Sequence, residues 1–274
     1  MQTVEFSKMS GCGNDFIIVD NRIAVVDEQD LERFIIAVCR RKQSVGADGL
    51  VLVEKSADYD FQWRFFNSDG SRGEMCGNAA RCAARYAHMK GIAGAEMVFG
   101  TDVGPVKARL NGHGVKLKMP RPKDLSLDEP LPLDQGTLQV NRINTGVPHV
   151  VVPVKDPDEV DVIALGRAIR NHAAFAPGGT NVNFVSPLKN RTMRIRTYER
   201  GVEDETLACG TGAVAAALVT ACKENLAGPL NLCTRGRKTL RIYFERQGEQ
   251  FEDVYLEGEA RLIYQGRLNA EAWD

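Results

Sequence analysis

Two cysteines in this chain stand where a thiol gains reactivity. Each precedes a glycine and a run of small residues that opens a helix: Met75-Cys76-Gly77-Asn78-Ala79-Ala80-Arg81-Cys82 and Leu207-Ala208-Cys209-Gly210-Thr211-Gly212-Ala213-Val214. In the first turn of a helix the backbone N–H groups have no intrahelical partner, and the macrodipole favours negative charge on a neighbouring sulfur. The same N–H groups hold a carboxylate or other anion set beside the thiol. The motifs lie 133 residues apart in a chain of 274, which suggests one half-chain plan used twice. Two such thiols facing each other across a cleft suit the inversion of a carbon acid. One sulfur removes a proton while the other returns one on the opposite face, and the helix N-termini stabilise charge spreading into the adjacent carboxylate.

Other thiol chemistries fit less well. Only Cys76 and Cys82 are closely spaced, no C-x-x-C occurs, and Cys76 and Arg81 enclose four residues where a phosphatase-type loop needs five. A Cys–His hydrolase using His149 stays open, but it leaves the second cysteine without a role. Cys39, Cys82, Cys222 and Cys233 lie in apolar helix or strand patterns and read as packing residues, while Cys12, in a glycine loop, is undecided.

The elements that must position the thiols follow from the rest of the chain. Hydrophobic residues make up 43% and charged residues 26%, the balance of a soluble globular protein with room for two domains. Net charge is −1 with no basic block, so neither nucleic acid nor an acidic membrane surface is an expected partner. No apolar run is long enough for a bilayer, Met1–Phe6 lacks the pattern of a signal peptide, and the seven cysteines are an odd number. A reducing cytoplasm is the expected compartment.

Short strands are expected at Val4–Phe6 and Phe16–Val19 around the loop Ser10–Asp15, then a helix over Asp27–Arg41. Strands at Leu50–Val53 and Phe61–Phe65 lead through a turn at Asn67–Gly70 into the first Cys-Gly helix, which ends near Lys90-Gly91. Arg81, Arg85 and His88 share a stripe of that helix and predict a wetter face. Three strands close the half, at Met97–Phe99, Val106–Leu110 and Val115–Met119. Residues 120–135, rich in proline, read as a linker. Beyond it come strands, a helix near Asp158–His172, strands at Val182–Val185 and Met193–Tyr198, the second Cys-Gly helix, and four further strands ending at Arg261–Tyr264. Asn14 precedes Cys76 by 62 residues and His149 precedes Cys209 by 60, each just before an apolar strand, which supports the duplication. The second Cys-Gly helix is apolar nearly all round and belongs inside a core. The expected class is α+β, or mixed α/β: two pseudo-symmetric domains, each a set of short strands wrapped around a central helix.

The ordered motifs resemble the diaminopimelate epimerase family over almost the full length. They are Gly11-Cys12-Gly13-Asn14-Asp15-Phe16, Val45-Gly46-Ala47-Asp48-Gly49, Phe66-Asn67-Ser68-Asp69-Gly70, Glu74–Arg81, Gly146-Val147-Pro148-His149, Gly179-Thr180-Asn181-Val182-Asn183-Phe184, Tyr198-Glu199-Arg200-Gly201 and Cys209-Gly210-Thr211-Gly212. The resemblance implies a cofactor-independent enzyme that interconverts LL- and meso-diaminopimelate, a step towards lysine and cell-wall precursors. Cys76 and Cys209 match the acid/base residues, and Gly77, Asn78, Gly210 and Thr211 match donors to the carboxylate at the reacting centre. Asn14, Asn67, Asn181, Glu199 and Arg200 match residues that hold the substrate, chiefly its distal amino-acid end. His149 and Glu199 match polar residues that assist proton handling. No metal or pyridoxal phosphate is implied, and the expected partners are the small amino-acid substrate and a second copy in a homodimer. The resemblance also implies that the C-terminal strand returns to the first domain, giving 1–122 with 262–274 as one domain and 123–261 as the other.

The chain departs from the family pattern in two places. Val147 stands where many members have asparagine, and the stretch 201–206 is one residue longer than the shortest version. Relatives of the same duplicated plan supply rival readings. A proline or hydroxyproline racemase would use the same cysteine pair but needs no reader for a distal end. A phenazine-synthesis-like isomerase usually lacks the paired thiols. A non-catalytic amino-acid-binding protein would need no reactive thiol pair.

Overall fold

The computed structural model describes residues 3–273; Met1, Gln2 and Asp274, which the sequence assigns to the first domain, lie outside the described residues. The chain divides into two compact units, Met1–Leu117 with Gly258–Asp274, and Lys118–Glu257.

In the first unit, strand Val4–Gly11 pairs antiparallel with both Asn14–Asp20 and the late strand Arg261–Leu268, with Phe6 opposite Gly266. Asn14–Asp20 runs parallel to Gly49–Glu54, which pairs antiparallel with Phe61–Asn67. The strands Glu96–Thr101, Gly104–Asn111 and Gly114–Lys118 extend the sheet. Side chains alternate across a strand, and the two faces take different helices. Phe16, Ile18, Val51 and Val53 pack with helix Gly77–Met89, while Ile17, Val19, Leu50 and Leu52 pack with the amphipathic helix Leu31–Cys39. Helix Leu31–Cys39 is α1 and Gly77–Met89 is α2. The alanines Ala79, Ala80, Ala83, Ala84 and Ala87 of α2 are all fully buried, so neighbouring strands approach its backbone closely.

The second unit repeats the scheme. Strands Lys123–Leu133 and Gly136–Asn144 form a hairpin, followed by Pro148–Pro153. That strand runs parallel to Asn181–Val185, which pairs antiparallel with Thr192–Glu199, and pairing continues through Leu230–Cys233 to Thr239–Gln247. Helix α3, Val162–Arg170, packs with Val150, Val152, Val182, Phe184 and Tyr198. Helix α4, Gly210–Lys223, is buried continuously from Gly212 to Val219, as its all-round apolar sequence predicts, and lies against Pro148–Pro153, Asn181–Val185 and Thr239–Gln247. Mixed sheets with four α-helices among the described residues bear out the fold class. No helix is long and apolar enough to cross a membrane among those residues.

Three expectations need correction. Residues 120–135 contain no open linker: Lys123–Leu133 is a strand. Pro130 and Pro132 sit opposite Gln139 and Thr137 in the hairpin, and a proline whose nitrogen faces away from the partner strand costs no ladder bond. The stripe of Arg81, Arg85 and His88 is not uniformly wet, because Arg81 is fully buried. Strands close over the start of α2, where Arg81 lies, and leave its last turn, with His88, exposed. Finally, the two surface helices are shorter than expected. Residues Asp27–Asp30 form turns ahead of α1, and Asp161 caps α3 by accepting from the Ala164 N–H at 3.0 Å. Cys39 and Cys82 pack in cores, where burial pushes both thiols up, Cys39 to about 12.

Candidate active site

Each unit presents one cysteine in the same setting. Cys76 is the N-cap of α2 with φ −139° and ψ 116°, and Cys209 is the N-cap of α4 with φ −115° and ψ 113°. The first intrahelical bonds run from Ala80 N–H to the Cys76 carbonyl at 2.8 Å and from Ala213 N–H to the Cys209 carbonyl at 3.0 Å. The N–H groups of Gly77, Asn78 and Ala79, and those of Gly210, Thr211 and Gly212, therefore precede the helical ladder. Cys76 is half-buried and Cys209 buried.

In the first unit a directed hydrogen-bond relay fixes the start of α2. The Asp48 carboxylate only accepts, so the Asn14 amide nitrogen donates to it at 3.0 Å. The Asn14 oxygen then accepts from Asn78 Nδ2 at 2.5 Å, and the Asn78 oxygen accepts from the Arg81 guanidinium at 2.6 Å. A cation thus stands at one end and a carboxylate at the other, which strengthens each link. Gly11 makes the approach possible, because a Cβ there would lie 2.6 Å from the Asn78 carbonyl oxygen. Asp48 also pairs with Arg41 at 2.8 Å, and Asp15 pairs with Arg41 and Lys8 at 2.5 and 2.7 Å. Burial alone would raise the Asp15 pKa, but the bonds from Arg41 and Lys8 outweigh it and hold the group at about 2. Asn67 is exposed and donates to the Ser71 hydroxyl at 2.9 Å, one residue before a Ser68 N–H bond to the Asp48 carbonyl. The structure therefore joins Asn14 and Asn78 directly and sets Asn67 nearby through Asp48.

In the second unit the parallel register sets His149 opposite Asn181. Asn181 donates to the Pro148 carbonyl at 3.1 Å and accepts from the Arg200 backbone N–H at 2.9 Å, tying the Arg200 loop to the His149 strand. The Arg200 guanidinium contacts the Gly178 carbonyl at 3.4 Å. Glu199 accepts from the Thr206 hydroxyl at 2.8 Å, and burial pushes its carboxyl up, partly offset by that bond. Thr211 Oγ1 lies 3.5 Å from Cys209 Sγ. Gly212 is the close-approach residue here: a Cβ on it would lie 2.1 Å from Asn183 Oδ1 and 3.3 Å from Cys209 Sγ.

His149 is fully buried, and burial pushes its pKa down from 6.5 to about 3, with the Arg200 charge adding to the effect. Between these values the unfolded chain binds a proton that the native state refuses. The contribution of His149 to stability is therefore full above about pH 6.5, is lost as pH drops towards about 3, and levels below that. The slope is at most about 1.4 kcal/mol per pH unit. His149→Asn is expected to flatten the acid limb of the unfolding free energy between about pH 6 and about pH 4. Parallel limbs for the two proteins in urea titrations would contradict a neutral, buried imidazole.

The sequence did not place Asp48, Arg81 or Asn183 at the site, nor Thr211 beside the sulfur. Asp48 lies in Val45-Gly46-Ala47-Asp48-Gly49, and its signal is a carboxylate between two glycines. Asn183 interrupts an otherwise apolar buried strand, Val182 to Val185, and a buried amide in such a place needs partners.

The model of the family described as diaminopimelate epimerase matches residues 6–123 and 142–263, one stretch in each half. A protein named diaminopimelate epimerase from Aquifex aeolicus (strain VF5) is 45% identical over 98% of this chain and 99% of its own length. A second of that name from Hydrogenobaculum sp. (strain Y04AAS1) is 41% identical over 97% of this chain and 98% of its own. Among solved structures, a Bacillus anthracis phenazine biosynthesis protein of the PhzF family superposes with TM-score 0.73 over 98% of this chain and all of its own. At 16% identity it shares the fold alone. Matched over most of its length at these identities, the chain belongs to the diaminopimelate epimerase family of isomerases.

Proposed function

We propose that this chain interconverts LL-2,6-diaminopimelate and meso-2,6-diaminopimelate without a cofactor, using Cys76 and Cys209 as its acid/base pair. The observation that carries the reading is the matched setting of the two cysteines, each an extended N-cap followed by N–H groups ahead of the helical ladder. In the proposed reaction one sulfur, as thiolate, removes the α-hydrogen as a proton. The other, as thiol, donates a proton to the opposite face of the same carbon, so the roles of the sulfurs exchange with each turnover. The N–H groups of Gly77, Asn78, Gly210 and Thr211 hold the carboxylate and stabilise the charge it takes up as the C–H bond breaks. Asn14, Asn67, Asn181 and Arg200 bind the distal amino-acid end together with Glu199. Glu199 and His149 also assist proton handling beside the thiols.

The proposal extends to the setting: a homodimer in the cytoplasm, acting on a free amino acid on the route to lysine and cell-wall precursors. Family membership supports it. Purified protein incubated with LL-diaminopimelate is expected to yield the meso isomer on chiral separation. Racemisation of proline or hydroxyproline with no action on diaminopimelate would overturn the substrate assignment. Activity is expected to survive dialysis against a strong chelator, and loss restored by added metal would overturn the cofactor-free chemistry.

A further inference from the structure

Asn183 sits in the middle of a buried strand, between Val182 and Phe184, and is itself fully buried. Its amide is bonded on every side. Nδ2 donates to the Val150 carbonyl at 3.0 Å and lies 3.1 Å from His149 Nδ1, while Oδ1 accepts from the Thr197 hydroxyl at 3.0 Å. A backbone carbonyl only accepts, so the contact with Val150 fixes which end of the amide is nitrogen. Reversing the amide would set two oxygens against each other there. Nδ2 is therefore the donor in the contact with His149, and His149 Nδ1 must offer its lone pair. A neutral imidazole carries one N–H, which leaves that hydrogen on Nε2. Nε2 is buried and has no hydrogen-bond partner among the described residues.

We infer that Asn183 is a positioning residue that locks His149 in the Nε2–H tautomer, making it a hydrogen-bond donor and not a proton acceptor. The inference rests on the reading of Cys209 as an acid/base group. Asn183 itself borders the second cysteine motif, since its amide oxygen and the Cys209 sulfur both lie at the space a Cβ on Gly212 would fill. Burial of the imidazole supports the same state, since a proton added to Nδ1 would face the Asn183 N–H. Of the two ring nitrogens, one is committed to Asn183 and the other carries hydrogen, so neither can take a proton from a thiol. The help His149 gives to proton handling is therefore that of a hydrogen-bond donor, which steadies negative charge on a sulfur or carboxylate without taking the proton itself.

The test is a long-range ¹H–¹⁵N NMR correlation on protein labelled in its histidine rings, with His149 assigned by its loss in His149→Asn. The wild type is expected to show a neutral His149 protonated on Nε2 at neutral pH; a ring protonated on Nδ1, or an imidazolium, would overturn the lock. Asn183→Asp replaces the donor with an acceptor and is expected to move the hydrogen to Nδ1. In that variant kcat for LL-diaminopimelate should fall about tenfold or more, with KM changed less than about twofold. An unmoved tautomer, or a moved one with unchanged kcat, would overturn the positioning role. Asn183→Leu supplies a second variant that cannot donate, and it too is expected to lose kcat while Thr197→Val loses little. Unchanged kcat in folded Asn183→Leu would count against the lock. The ring spectrum needs no substrate, so a wild type inactive on diaminopimelate would refute the proposed function while the tautomer still decides this inference.

Discussion

Cys76→Ala and Cys209→Ala are each expected to abolish stereoinversion, with a loss in kcat of about 10³-fold or more. The size follows from the chemistry assigned to the pair. Inversion needs a proton removed from one face and another delivered to the opposite face, and a single sulfur cannot serve both. Neither substitution is expected to disturb the fold by more than about 1 kcal/mol, since each cysteine is an N-cap whose side chain makes no capping hydrogen bond. Matching thermal melts for wild type and variants would separate loss of chemistry from loss of structure. A variant retaining one thiol is expected to exchange the α-hydrogen with solvent from its own side, at a much reduced rate and without epimerisation. If either alanine variant inverted at a near-normal rate, its cysteine would be removed from the mechanism.

Arg200→Lys is the second large effect, expected to raise KM and lower kcat together, for a loss in kcat/KM of about 10²-fold. Lysine keeps the charge but gives one point of contact, whereas a guanidinium grips a carboxylate at two. The backbone of residue 200 is already fixed, because its N–H is bonded to the Asn181 amide. The substitution thus changes the side chain's reach and geometry without freeing the loop. A distal end held loosely also misplaces the reacting carbon, which is why turnover suffers with binding. Steady-state kinetics within about twofold of wild type would exclude Arg200 from substrate contact.

What the sequence could show depended on how local the determining physics was. The cysteine N-caps were legible because glycine and small residues after a thiol mark a helix start within four or five positions. The burial of α4 was legible for a similar reason, its apolar residues leaving no polar face. Arg81 was misread because helical spacing fixes which residues share a stripe but not what covers it. Its burial goes with a relay through Asn78, three residues away, to Asn14 on the strand Asn14–Asp20 and Asp48 just ahead of the strand Gly49–Glu54. The strand Lys123–Leu133 was misread because proline content was taken as a break, and whether a strand lies at a sheet edge is a property of topology. Asn183 escaped notice because its partners, Val150, His149 and Thr197, come from two neighbouring strands. Pairings of this kind exist only once the register is set.

The two-thiol mechanism is tested most directly by the isotope content of both isomers early in the reaction. LL-diaminopimelate is incubated with the protein in D₂O, and product and recovered substrate are separated on a chiral phase before mass analysis. Two opposed acid/base groups predict deuterium at the inverted carbon of the meso product, delivered by the second thiol, while the LL substrate recovered at low conversion keeps its hydrogen. Equal early labelling of recovered substrate and product would point to a single base serving both faces and would contradict the assignment of Cys76 and Cys209 as a pair.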